Sequence, residues 1–210
     1  MEWDFDRLER ARRYKLLTGL VVPRPIALVT TLDADGVVNA APFSFFNVLG
    51  DEPPIVIISV EDRDGGALKD TARNIGASGE FVVNLVDESI AARMHGCSVD
   101  YPPGVSEVAR VGFTVAASAR VRPPRLVEAP AALECTLHSR IDLDHRHLLI
   151  GQVRHLHVRD GLVDPATLRV DLERYHPVGR LFANLYARTG DRLALDPNEY
   201  LERMARAGRA

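Results

Sequence analysis

Apolar and polar positions fall along this chain in blocks that predict a mainly β protein with short helices set between its strands. Residues 26–32 form a strongly apolar run that stops at Asp33-Ala34-Asp35-Gly36, a turn whose glycine tolerates positive φ. A second strand follows and leads into a loop over residues 39–47 that is dense in hydroxyl, amide and aromatic groups. Residues 55–60 are β-branched enough for a buried strand, and residues 80–86 supply the next. From Phe113 onward the pattern is mostly strand, over residues 115–121, 131–143 and 147–159. The last of these ends at Asp160-Gly161, which reads as a hairpin turn into Leu162-Val163.

Helices are predicted where the period lengthens. Residues 6–17 open with Asp6 and Glu9 at capping-box spacing and bring Leu8, Ala11 and Leu16 near one face. Val21-Val22-Pro23-Arg24-Pro25 forbids helix, because each proline pushes its predecessor toward extended geometry. A helix over residues 67–77 stops at Gly79, shorter ones cover 88–94 and 106–111, and Asp196, Pro197 and Glu199 start a terminal helix over 197–207. Short turns between strands favour a closed or partly closed antiparallel barrel over a doubly wound parallel sheet, and no Gly-x-Gly-x-x-Gly supports a Rossmann domain. One domain spanning residues 1–210, with the two terminal helices as trimmings, is the expectation.

Composition narrows the partners. With 210 residues, 46% of them hydrophobic, the chain can bury a sizeable core, and a formal charge of −3 without a dense basic run argues against nucleic acid. Cys97 and Cys135 are too far apart in sequence for a zinc-type element and read as a reduced pair. The acidic N-terminus is unlike a signal peptide and no apolar run reaches membrane-spanning length, so a soluble, cytoplasmic protein is expected.

Candidate chemistry centres on Lys69. Among 26 basic residues only Lys15 and Lys69 are lysines. Arg73 shares a helix face with Lys69, Thr71 adds a hydroxyl, and a helix start offers free backbone N–H groups to an anion. Alone, Lys69, Asp70 and Arg73 read more readily as a solvated helix face with local ion pairs. The first hairpin reverses that balance, since its end presents Pro42, Phe43, Ser44, Phe45 and Phe46 where a barrel offers loops to ligands. Together these groups suit a flat aromatic ring carrying a phosphate. The histidine pairs His145/His147 and His155/His157 each share a strand face, but no nearby acidic or cysteine pattern completes a metal set, and no metal is assigned. Ser44 and Ser59 lack a nucleophile elbow, so a hydrolase is unsupported.

The order of Arg24-Pro25, Asn39-Ala40-Ala41-Pro42-Phe43-Ser44, Lys69-Asp70-Thr71 with Asn74, Glu80-Phe81-Val82-Val83-Asn84, residues 151–157 and Pro177-Val178-Gly179-Arg180 with Tyr186 resembles the flavin reductase-like family of FMN-binding split barrels, flavoredoxins among them. The resemblance runs from about Arg24 to Tyr186. It implies a dimeric split β-barrel with FMN near the subunit interface. Thr30, Thr31, Asn39, Ala41, Pro42, Phe43, Ser44 and Phe45 would meet the ring and ribityl chain, while Ser59, Lys69, Thr71 and Arg24 would hold the phosphate and Asp70 and Asn74 would also border the cofactor. His157, Arg180 and Tyr186 would face the substrate. The family commonly has Leu-Gly-Gly after the arginine matching Arg180, whereas Leu181-Phe182-Ala183 stands here and changes the shape of the pocket beside the flavin. The resemblance further implies NADH or NADPH as donor and an acceptor that includes a separate monooxygenase among its forms. No catalytic side chain is required, because a flavin accepts hydride at its own ring nitrogen. FAD in place of FMN, an electron carrier that never meets a nicotinamide, and a non-catalytic flavin-binding or sensing module remain open as alternatives.

Overall fold

The computed structural model describes residues 1–102, 105–198 and 204. Seven strands form one sheet: β1 (Ala27–Leu32), β2 (Val38–Phe43), β3 (Phe46–Asp51), β4 (Pro54–Glu61), β5 (Glu80–Leu85), β6 (Ala131–Leu143) and β7 (Arg146–Val158). Their spatial order is β2-β1-β5-β6-β7-β4-β3, with every neighbouring pair antiparallel. This order forces closure. Six antiparallel steps leave the two outer strands, β2 and β3, running the same way, yet only Ser44 and Phe45 join them. They are therefore one bent strand that crosses the seam, and the sheet must curl until its edges meet.

Alternation along each strand fills the barrel. Ala27 and Val29 of β1 point inward with Val56, Ile58, Val60, Phe81, Val83, Cys135 and Leu149. Helix α2 (Asp70–Ser78) adds Ala72 and Ile75 to the same cluster. Gly151 is required there: a Cβ would lie 2.3 Å from Cζ of Phe81, so only glycine lets the ring approach the strand. The opposite face of β1, through Leu28 and with Ile26 just before the strand, is covered by Ile90, Met94 and Val108 from around α3 (Ala91–Gly96) and α4 (Glu107–Val111).

Several boundaries differ from the sequence reading. The leading helix splits into a 3-10 turn, Phe5–Arg7, and α1 (Arg10–Leu20). The Asp6/Glu9 box does not form, because Asp4 accepts from the Asp6 amide and Glu9 caps α1 with no side-chain bond. Lys69 is the residue before α2, and Gly79 ends the helix in the left-handed region as predicted. The predicted strand over 115–121 reduces to Val115–Ala116, since Ala119 and Arg120 direct their amides to the Glu134 carboxylate instead of a ladder. Leu162-Val163 does not continue as a hairpin strand; Val163 makes one bridge to Val170. Two short strands, β8 (Val178–Arg180) and β9 (Tyr186–Arg188), pair with each other and were not foreseen. The terminal helix lies largely outside the described residues, although Pro197 and Asn198 are helical and Asp196 accepts from the Asn198 amide at 2.8 Å.

The far end of the β6–β7 hairpin carries a charge cluster with a testable pH signature. Nε2 of buried His147 lies 2.8 Å from Asp62 and Nδ1 lies 2.5 Å from Asp142. Burial alone would depress the imidazole pKa, but the two carboxylates overcome it and raise the pKa on balance, against the nearby Arg140 charge. A raised folded pKa gives stability that is full below the unfolded value near 6.5 and is lost as pH rises through the folded one. The urea midpoint should therefore fall between pH 6 and pH 9, and His147→Gln should flatten that fall; an unchanged slope in the variant would assign the effect to other groups.

Candidate active site

Two clefts open on either side of the β2 end and share Pro42, Phe43 and Ser98 as a common wall. The larger, about 490 Å³, runs from Asn39, Ala41, Pro42 and Phe43 to the start of α2, where Lys69, Asp70, Thr71 and Asn74 line it. Lys69 is exposed, takes part in no ion pair among the described residues, and immediately precedes α2 without capping it, so the first amides of that helix are unclaimed by a side chain. Asp70 braces Arg63, at 2.5 Å, and Arg73. Behind them the Asn39 amide donates to Thr31 at 3.2 Å and to Thr71 at 3.1 Å, and the Asn74 amide donates to Thr31 at 3.1 Å. This network fixes the hairpin against the helix, so that the apolar wall and the cationic end hold one geometry.

The smaller cleft, about 270 Å³, is lined by Arg24, Ser44, Arg180 and Tyr186 together with Tyr14 and Phe182. Arg180 stacks over the Tyr186 ring with its Cζ 4.8 Å from the centroid and donates to the phenol oxygen. The same oxygen lies 2.9 Å from Nδ1 of His95. Ala183 has φ of 53°, the left-handed conformation that glycine takes more easily.

Not every expected residue reaches a cleft wall with a free group. Thr30 faces the opposite side of β1 from Thr31 and donates to the Pro124 carbonyl at 2.6 Å. Arg24 lines the smaller cleft but spends its guanidinium on the carbonyls of Thr18, Val21 and Leu181, at 2.7, 2.6 and 2.9 Å, which ties the end of α1 to the chain after β8 and removes it from the phosphate end. The Phe45 ring centroid lies 6.0 Å from Cζ of Arg24 and 5.1 Å from Cζ of Arg146, and Ser59 accepts from Arg146 at 3.3 Å; Phe45 and Ser59 line neither of the two clefts. His157 also lines neither, being paired with Glu134 at 2.7 Å.

That pair corrects the view that no acidic group stands near the histidines. Glu134, His155 and His157 bring their ligand atoms within 4.8 Å of one another, the acid coming from the neighbouring strand where sequence spacing could not reveal it. The Glu134 carboxylate is already engaged by two backbone amides and His157.

Glu107 was missed altogether. It lines the larger cleft, accepts from the Ala40 amide at 3.0 Å, and has its pKa raised chiefly by burial. No motif marks it; only the packing of α4 on β2 brings it there.

A family model described as flavin reductase like domain matches residues 19–179. The chain belongs to the flavin reductase-like family. Its barrel is the split-barrel fold of that family, mainly antiparallel β with a few helices. A 2-nitrobenzoate 2-nitroreductase of Pseudomonas fluorescens is 41% identical, superposes with a TM-score of 0.86, and matches over 93% of this chain and 95% of its own. Component B of nitrilotriacetate monooxygenase from Bacillus cereus is 35% identical with a TM-score of 0.88, over 93% and 98% of the two chains. An uncharacterized protein of Aquifex aeolicus is 43% identical over 188 residues, which cover 90% of this chain and 95% of that protein. Among the described residues no helix is long and apolar enough to cross a membrane.

Proposed function

We propose that this flavin reductase-like protein is an FMN-dependent oxidoreductase that oxidises NADH or NADPH and delivers the electrons to a second substrate. The observation that carries the reading is the larger cleft, with an apolar wall at Pro42 and Phe43 and a cationic helix start at its other end. Its volume of about 490 Å³ falls in the range of small-molecule sites. The donor set fits the cofactor. Lys69 and the free amides at the start of α2 suit a phosphate, and the Thr71 hydroxyl stands beside them. Arg63 and Arg73, held by Asp70, keep positive charge at the same mouth.

Bound FMN, or FAD in its place, supplies two-electron hydride chemistry. The chain's own task is then to position and to shield. Asn39, fixed by Thr31 and Thr71, sets the polar edge of the cleft, and Phe43 with Pro42 presents a flat surface for the ring while separating it from the smaller cleft. Tyr14, Leu17, Leu20, Val21 and Val22 leave an exposed apolar strip along α1 and its exit, which supports a homodimer built on that strip.

The test is the visible spectrum of protein supplied with FMN, followed by anaerobic NADH and then NADPH. Bleaching by either nucleotide is the expected result. FMN that binds but stays oxidised with both would instead favour an electron carrier or a sensing module. The likeness to component B of a monooxygenase favours a variant of the main reading, in which the flavin leaves after reduction to serve a separate oxygenase. That variant predicts colour lost on dilution.

A further inference from the structure

The smaller cleft contains positive charge that no carboxylate among the described residues balances. Arg24 and Arg180 both line it, no carboxylate does, and the side-chain bonds of both guanidiniums go to carbonyl and hydroxyl oxygens among the described residues. Arg24 is only 8% exposed and is satisfied by neutral carbonyls, so its charge is solvated without being neutralised. Burial depresses its pKa first, and the like charge of Arg180 adds to the depression.

Arg180 differs from Arg24 in what it leaves free. Its recorded side-chain bond goes to the Tyr186 hydroxyl, and the ring beneath it fixes the plane of the guanidinium. His95 shares that hydroxyl through its Nδ1. No other side-chain bond of Arg180 is made among the described residues, so its remaining N–H groups are free to donate to a planar carboxylate at two points.

Phe43, Phe182, Tyr14, Tyr186 and Met94 line the same cleft. About 270 Å³ lies at or below the lower end of small-molecule sites and is too little for a whole nicotinamide dinucleotide. We infer that this cleft binds a monocyclic aromatic carboxylate, with Arg180 gripping the carboxylate and Phe182 and Phe43 flanking the ring. The inference rests on the oxidoreductase reading above only in making this anion the second substrate. The shared wall of Pro42 and Phe43 places the aromatic acid beside the larger cleft.

Isothermal titration with benzoate, benzamide and inorganic phosphate tests it, first on flavin-free protein and then on protein supplied with FMN. Benzoate should bind at least tenfold more tightly than its neutral isostere benzamide, and phosphate should not displace it. Arg180→Gln should weaken benzoate by roughly tenfold or more, the scale of a charged hydrogen-bonded pair, with Arg180→Lys in between. Because Arg180→Gln risks disturbing β8 and β9, Phe182→Gly provides a second test on an exposed ring, and it should weaken benzoate several-fold. Equal binding of benzoate and benzamide, displacement by phosphate, or unchanged benzoate affinity in both Arg180→Gln and Phe182→Gly would overturn the inference. FMN that fails to bind while benzoate still does would count against the flavin reading alone.

Discussion

Glu134→Ala is expected to remove about 2–5 kcal/mol of folding stability, the cost of leaving the donors of a buried, fully engaged carboxylate unpaired. Glu134 is 0% exposed and accepts from the amides of Ala119 and Arg120, at 2.7 and 2.6 Å, and from His157 at 2.7 Å. Removing the carboxylate leaves those two amides without an acceptor and the loop before β6 without an anchor. Burial by itself would raise the carboxyl pKa, but the amide and imidazole donors outweigh it and the pKa is lowered. The contribution is therefore complete above the unfolded value near 4.5 and fades as pH falls through the folded one. Urea unfolding at pH 7 and pH 4 measures both statements. Glu134→Gln should fall between wild type and alanine, because its amide oxygen still accepts from one donor while its NH2 group faces the other. A loss below about 1 kcal/mol for the alanine variant would show that water or a rearranged loop replaces the carboxylate.

What could be read from sequence, and what could not, follows from how far apart the interacting groups lie. The first hairpin was legible because Asp33 to Gly36 and the alternation on both sides are local signals, and the β1–β2 register follows from them. Helix α2 was legible for the same reason, with its glycine stop and its cationic start next to each other in the chain. Strand β3 was not, since Phe46–Asp51 is short and exposes Val48 and Leu49, so the segment reads as the loop that its amide and hydroxyl neighbours suggest. Its strand character comes from pairing with β4.

The same distinction divides the site. Asn39, Lys69, Thr71 and Asn74 converge because β2 and α2 meet through side-chain amides, and their motif order announced them. Thr30 and Thr31 are adjacent in sequence, yet strand alternation separates them to opposite faces. Arg24 is given to the phosphate only by the family resemblance, and its side chain goes elsewhere. Its acceptors include a carbonyl on Leu181, which no local pattern discloses. Glu107 and the Glu134–His157 pair are likewise products of tertiary packing.

The largest effect on ligand binding is expected from Lys69→Ala, which should weaken FMN by roughly ten- to a hundred-fold, the worth of one charge-assisted bond to phosphate. The argument depends on Lys69 lacking an ion-pair partner among the described residues, whereas Arg63 and Arg73 are already bound to Asp70 and can share less of their charge. Riboflavin, which has the same ring and no phosphate, isolates the contact: the variant should bind it as wild type does. Raising the salt concentration should weaken FMN binding to wild type more than to the variant, because screening acts on the lost interaction. Lys15→Ala is the matched control, since the other lysine lies on α1 and lines neither cleft. Fluorescence titration of the four protein–ligand pairs gives the coupling between side chain and phosphate directly. Equal losses for FMN and riboflavin would mean that Lys69 shapes the cleft without touching the phosphate; an FMN affinity within twofold of wild type would place the phosphate elsewhere and leave the start of α2 as an ordinary solvated helix end.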